Sequence, residues 1–286
     1  MRLELKDVSF SYGPEEVLKG ITAFASPGMT SFIGPNAAGK STLLKCIAGI
    51  LRPGSGSMSL GGESLMGKMD DPIRKQVAYM PQEPPYRTSL TVMEVMLMGR
   101  LDDLRWKVGQ EDIQLAYGAL EDLGIEHLAR RPMHQLSGGQ SQMVMIAQCL
   151  VREPQLIMMD EPMNNLDLQK QLEMFDTLEA VTRGKSLTTV MVLHDINFAA
   201  RFSDRMVVLS HGEVYDVGPP ADVITEGMLR DVYGVESRIA INGDGIPHVD
   251  PLYSLRTGER PRCKRMGCEL CQGDALSEAF PGNQGV

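Results

Sequence analysis

The run Gly34-Pro35-Asn36-Ala37-Ala38-Gly39-Lys40-Ser41-Thr42 fits G-x-x-x-x-G-K-[ST], a pattern whose chemistry is the wrapping of nucleotide phosphates. Backbone N–H groups of such a loop point inward at a β-phosphate. A lysine in the place of Lys40 reaches the β/γ oxygens, and a hydroxyl in the place of Ser41 takes a position on Mg²⁺. Met29–Ile33 reads as a short strand and Ser41–Gly49 as a helix, so the loop lies where strand meets helix. The competing reading is a glycine turn capping an ordinary helix, yet a chance match is expected in only about one chain in a hundred at this composition. Alone, the loop implies no more than binding of a nucleoside triphosphate.

A second element follows about a hundred residues downstream. Leu136-Ser137-Gly138-Gly139-Gln140 directly precedes a helical pattern, Ser141–Arg152, so Ser137 and the glycines sit at a helix N-terminus. Free N–H groups and the positive dipole end suit a γ-phosphate there. Beyond that helix, Leu156-Ile157-Met158-Met159-Asp160-Glu161 is an apolar run ending in two carboxylates. It reads as a buried strand delivering Asp160 to Mg²⁺ and Glu161 to an attacking water. Loop, Leu-Ser-Gly-Gly-Gln and apolar Asp-Glu strand, in this order, resemble the ATP-binding-cassette (ABC) ATPase family.

That resemblance implies an α/β fold: a P-loop NTPase (RecA-like) core with an antiparallel β-subdomain and an inserted α-helical subdomain. It also implies roles. Gly34, Pro35, Asn36, Ala37, Ala38, Gly39, Lys40, Ser41 and Thr42 would hold the phosphates of ATP, and Tyr12 would stack on adenine. Ser41, Gln82 and Asp160 would hold Mg²⁺, with Gln82 also sensing a membrane partner. Glu161 would orient or deprotonate water, and His194 would act as the switch histidine beside the γ-phosphate. Ser137, Gly138, Gly139 and Gln140 would cover the nucleotide of a second copy, with Asp167 in the aspartate loop, so that two chains meet head to tail around two ATPs. Singly, a tyrosine after a strand or a lone histidine is an ordinary core or surface residue; the order and spacing carry the reading.

The chain has 286 residues and 43% hydrophobic content, with a mean hydropathy of −0.13. That suffices for a core. No run of eighteen apolar residues occurs, and Met1–Lys6 alternates like a strand without the apolar stretch of a signal peptide. If the chain serves membrane transport, as the resemblance implies, its expected place is the cytoplasmic face of the membrane, as a peripheral subunit. A net charge of −9 argues against nucleic acid as the main partner. The resemblance covers residues 1–240 as an ABC ATPase domain, with residues 83–135 as the inserted helical part and 241–286 as a C-terminal extension. No internal repeat is visible.

Within this frame Leu3–Ser9, Val17–Lys19 and Ile21–Ala25 read as a short antiparallel sheet, with Ser57–Leu60 as a further strand. Gln76–Met80 reads as the strand leading to Gln82, and Ser186–Leu193 as the strand ending at His194. Pro84-Pro85 breaks the chain before helical patterns at Thr91–Arg100 and Glu111–Gly124. In the family, the surface near residues 83–100 docks a membrane subunit. Asp167–Arg183 reads as an amphipathic helix, Arg205–Leu209 and Glu213–Val217 as a hairpin, and Ala221–Tyr233 as a closing helix; past Gly234 the pattern weakens. Twenty methionines read as core filling.

Three departures from the usual family pattern stand out. Ala37 stands where a third glycine is common, which would cost about 1 kcal/mol if that position needs φ > 0. Met143 and Gln148 replace arginines after the signature, and Met163-Asn164-Asn165 precedes Leu166-Asp167 where Thr-Ser-Ala is commoner. The lack of membrane spans, of a coiled-coil insertion and of a second cassette leaves an importer ATPase or a stand-alone exporter subunit. Ser89–Arg100 and Pro219–Thr225 resemble segments of metal-chelate importers, which take up ferric siderophores, haem or cobalamin. Permease subunits, a substrate-binding protein reached through them, and a homodimer are the implied partners. The alternatives are another ABC transporter, for zinc/manganese import or for export, and a soluble cassette with no permease.

Of five cysteines, Cys46 and Cys149 lie in apolar helical surroundings and read as reduced core residues. Cys263, Cys268 and Cys271 form a C-x₄-C-x₂-C spacing in a Pro/Gly-rich tail. With a fourth ligand from elsewhere in the chain, His248 being one candidate, they would suit Zn²⁺ or an iron–sulfur cluster; a reduced tail without metal is the other reading.

Overall fold

The computed structural model describes residues 1–68, 71–82, 88–100, 108–164 and 166–255. Pro84, Pro85, Asn165, Cys263, Cys268 and Cys271 therefore lie outside the described residues. A sheet of six strands forms the centre. In chain order its members are β3 (Gly28–Ile33), β6 (Val77–Met80), β7 (Leu156–Asp160), β8 (Thr188–Val192), β9 (Arg205–Ser210) and β10 (Glu213–Gly218). Their spatial order is β10-β9-β3-β8-β7-β6, parallel throughout except for β10, which returns antiparallel along β9. A second, antiparallel sheet takes β1 (Leu3–Tyr12), β2 (Glu15–Ala25), β4 (Ser55–Leu60) and β5 (Glu63–Ser64) in the order β2-β1-β4-β5. Val17–Lys19 and Ile21–Ala25 merge into the single strand β2 because Gly20, at φ 65°, takes up an irregularity in the pairing.

Every residue of β7 and β8 is buried, as parallel strands covered on both faces must be. Alternation then divides the interior in two. Leu156, Met158, Val190 and Val192 join Phe32 and the antiparallel sheet. Ile157, Met159 and Met191 face the helices α5 (Gly138–Leu150), α6 (Leu168–Gly184) and α7 (Ile196–Phe202). On that side Phe175 of α6 stacks on Phe202 of α7 at a centroid distance of 4.6 Å, with Phe198 at 5.6 Å from Phe175. The helix α1 (Lys40–Ile47) packs on the other side.

The helical lobe contains α3 (Val92–Met98), α4 (Gln110–Glu121) and α5, after the short α2 (Pro72–Lys75). Thr91 caps α3 reciprocally with Glu94. Gln148, one of the departures, donates to the carbonyl of Val95 at 2.8 Å and so ties α5 to α3. Arg100 bonds Asp112 (3.1 Å) and the carbonyl of Val151 (3.2 Å).

The C-terminal part differs from the expectation. Ala221–Tyr233 is not one helix but α8 (Pro220–Val223), α9 (Glu226–Met228) and a wide turn at Leu229–Tyr233. The side chain of Thr225 caps the second piece and breaks the first from it. Past Gly234 the chain does not fade: β11 (Val235–Ile241) and β12 (Pro247–Ser254) form an antiparallel hairpin that runs across residue 240. It is fastened to α7 by Asn197, whose carboxamide donates to Val249 O (3.1 Å) and accepts from Val249 N (2.7 Å). No described helix is long and apolar enough to cross a membrane.

Two outcomes follow from this packing. Phe175 is fully buried, so Phe175→Ala is expected to lower unfolding stability by about 3–5 kcal/mol in a denaturant titration. Burial pushes the thiols of Cys46 and Cys149 up to about 12, which leaves almost no thiolate at neutral pH. Both should resist iodoacetamide in the native protein and react once guanidinium unfolds it, as peptide mass spectrometry would show.

Candidate functional site

The carboxyl ends of β3, β6, β7 and β8 lie side by side, and each hands a polar residue to one place. This is where open α/β sheets bind ligands. From β3 the chain turns through Gly34 (φ 143°), where a Cβ would meet the Leu209 carbonyl oxygen at 2.1 Å. That close approach of β9 requires glycine. Ala37 has φ 63°, so the third non-glycine position of the loop carries the left-handed strain of about 1 kcal/mol. Gly39 (φ 97°) precedes α1 with no side-chain cap, leaving the first N–H groups of the helix free for a ligand.

Lys40 is buried and donates from Nζ to the carbonyls of Gly34 (2.7 Å) and Pro35 (2.8 Å). It thus spans the mouth of the loop. Burial lowers its pKa, against the pull of the negative charges of Glu161 and Asp160. Ser41 donates to Asp160 Oδ1 at 2.9 Å. Burial lifts the Asp160 carboxyl above its ordinary range, and the Glu161 charge adds to this; Ser41, Lys45 and Lys40 oppose it.

Glu161 leaves β7 in the left-handed region at φ 54°, its N–H held by the carbonyl of Val192 at 3.2 Å. A bulky residue with such a φ marks a site where structure over-determines the backbone. Three side chains meet its carboxylate: His194 Nε2 lies 2.5 Å from Oε1, while Gln82 Nε2 (2.6 Å) and Asn164 Nδ2 (2.7 Å) both donate to Oε2. Partial burial would raise this carboxyl, but the bonds from Asn164 and His194 and the charges of His194 and Lys40 outweigh it, so its pKa falls below the ordinary value.

Lys40, Ser41, Gln82, Asp160, Glu161 and His194 therefore form one connected group. The remaining candidates stand on other elements. Tyr12 ends β1, 48% exposed, with its ring edge-on to Phe10 at 4.8 Å, a free face for a planar ligand. Ser137 caps α5, accepting from Gln140 N (3.3 Å) while the Gln140 side chain accepts from Ser137 N (3.1 Å). Ser137, Gly139 and Gln140 line a cavity of about 310 Å³ with Leu166 and Lys170. Asp167 caps α6 and pairs with Lys170 at 3.2 Å. Ser41 offers a hydroxyl, Asp160 a carboxylate and Gln82 an amide, hard oxygens of the kind Mg²⁺ would take. Because Gln82 turns its nitrogen to Glu161, its amide oxygen is the end a cation would take.

Asn164 was visible in the sequence only as a departure; nothing local shows that its side chain folds back on Glu161. His248, exposed on β12, lines a cavity of about 490 Å³ with Arg201, Asn242 and Asp244. Among the described residues, no group of three or more His, Cys, Asp or Glu side chains is arranged to hold a metal.

Residues 21–164 match the family model described as ABC transporter. Over 253 residues the chain is 37% identical to an uncharacterised ABC transporter ATP-binding protein of Methanocaldococcus jannaschii, covering 88% of this chain and 98% of the relative. It is 35% identical over 261 residues to the iron(3+)-hydroxamate import ATP-binding protein of Bacillus subtilis, covering 90% and 97%. Among solved structures, an inward-facing ABC transporter assigned to the metal-chelate type superposes with a TM-score of 0.76 at 26% identity, over 88% of this chain and 97% of that one. A dimeric bacterial ABC transporter cassette superposes with a TM-score of 0.67 at 28% identity, over 76% and 98%. With the phosphate loop, the Asp-Glu strand end and the signature turn in place, the chain belongs to the ABC transporter family and is one of its nucleotide-binding ATPase subunits.

Proposed function

We propose that this ATPase energises import of a metal chelate, such as a ferric siderophore, haem or cobalamin, by working as a head-to-tail dimer on a membrane permease. Similarity over nearly the full length of an iron(3+)-hydroxamate import subunit supports the cargo class, as does the likeness to a metal-chelate type transporter. The site itself touches phosphates, not cargo, so the chelate is selected elsewhere, by the permease and a substrate-binding protein. The subunit would sit at the cytoplasmic face of the membrane, with residues 1–240 as the cassette and 83–135 as its inserted helical part.

The mechanism rests on position and charge. In phosphoryl transfer the protein places reactants in line and neutralises the charge that develops, rather than supplying covalent chemistry. The free N–H groups at Gly39 and the start of α1, with the Lys40 ammonium, would take the β/γ oxygens once ATP displaces Lys40 from its own loop carbonyls. Ser41, Asp160 and the Gln82 amide oxygen would hold Mg²⁺, which when bound neutralises phosphate charge. Glu161 accepts a proton from the attacking water, and His194 orients both. Tyr12 would stack on adenine. Ser137, Gly138, Gly139 and Gln140 present an α5 N-terminus to the nucleotide of the second copy, beside Asp167, so ATP binding closes the dimer and hydrolysis opens it.

The observation that carries this reading is the ring of donors on Glu161. Glu161→Gln is expected to remove turnover by at least about two orders of magnitude while ATP binding persists, since an amide keeps the shape but cannot take the proton. The variant should accumulate as an ATP-bound dimer in light scattering; wild-type hydrolysis would remove Glu161 as the base. The permease is tested separately. Tagged chain should recover a membrane subunit from detergent extracts, and recovery as a wholly soluble assembly would favour a cassette without a permease.

A further inference from the structure

Glu161 is more tightly specified than its role as a base requires. An ionised carboxylate only accepts hydrogen bonds, through about two lone pairs on each oxygen. Gln82 and Asn164 both donate to Oε2, at 2.6 and 2.7 Å, which fills that oxygen. His194 takes one position on Oε1. The lone pair that remains belongs to Oε1.

Asn164 reaches Oε2 because the chain doubles back on itself. Glu161 enters a turn through its positive φ, and the turn closes with Asn164 N–H donating to the Glu161 carbonyl at 3.3 Å. The amide orientation follows from chemistry: facing a carboxylate, only the nitrogen end makes a bond. The same segment leads through Leu166 to Asp167 at the start of α6, so the contact joins the carboxylate to the loop before that helix.

We infer that Asn164 is a positioning residue for water attack: together with Gln82 it pins Oε2 of Glu161, and thereby makes Oε1, beside His194, the oxygen that receives the proton. This rests on the reading of Glu161 as the base. In the step so arranged, the water oxygen bonds to the γ-phosphorus and one of its protons passes to Oε1. The bond from the γ-phosphorus to the β,γ-bridging oxygen breaks, its electron pair leaving with ADP.

Steady-state hydrolysis of MgATP by the full chain tests the inference. Asn164→Ala and Asn164→Asp should each lower kcat by about tenfold or more, the loss expected from a mispositioned reacting group, with KM for ATP within about twofold of wild type. Asp keeps the shape of Asn but lacks the donor and sets a second carboxylate against Glu161, so the uncharged Ala variant and its rescue by Gln decide between positioning and charge. Asn164→Gln restores a donor and should recover most of kcat. Wild-type kcat in both Ala and Asp variants, with Glu161→Gln inactive, overturns the inference and leaves the base standing; an active Glu161→Gln overturns the base itself. A fall in kcat matched by an equal rise in KM or by a lower Tm, or Asn164→Gln as slow as Asn164→Ala, also overturns it.

Discussion

Two adjacent carboxylates at the end of a strand buried on both faces repel each other and lose most of their water, and the nucleotide site is organised around holding them. Asp160 is fixed by the Ser41 hydroxyl and sits within the field of Lys40 and Lys45. Glu161 is turned out of the strand by its backbone and is met by three donors. The two therefore differ in kind: burial makes the first easier to protonate, and the second is kept ionised by its bonds. In the proposed reaction the two would divide the work, Asp160 holding the cation and Glu161 taking the proton from water.

The central sheet also joins segments distant in the chain. Its β7 and β8 residues alternate between an interior shared with the antiparallel sheet and α1, and one shared with the helical lobe. A shift at the carboxyl end of either strand is thus felt on both sides, because packed interiors deform little. On the lobe side, α3 is held to α5 by Gln148 and Arg100 rather than by apolar packing alone. Gln82 follows β6 directly and touches Glu161, so the segment entering the lobe begins at the carboxylate.

What could be read from sequence was local. The phosphate loop, the signature turn and the Asp-Glu strand end each occupy a handful of consecutive residues with special backbone or charge, and their elements fall within a few residues of expectation. Ala37 shows the value of that reasoning: the question of φ > 0 was legible, and the angle is 63°. The misses depend on distant partners. Ala221–Tyr233 has helical spacing, but Thr225 caps from inside it. The β11–β12 hairpin has weak alternation, and what anchors it is a carboxamide 52 positions earlier. Asn164 and Gln148 stand out in the sequence only as departures from the family pattern, because their bonding partners are set by the fold.

The placement of β3 has a consequence for how the molecule comes into being. This strand ends in the phosphate loop, yet its two neighbours are β8 and β9, and Met29 bonds Asp204 across a separation of 175 residues. During synthesis the loop-bearing strand emerges early and waits, unpaired on both edges, until most of the chain has followed. Contacts so remote in sequence close slowly, and an apolar strand with open edges is a template for wrong partners in the interval. Nucleotide affinity is accordingly a property acquired late, when the ninth strand arrives, and a nascent chain arrested before residue 205 would carry the complete phosphate-loop sequence without a folded place to put it.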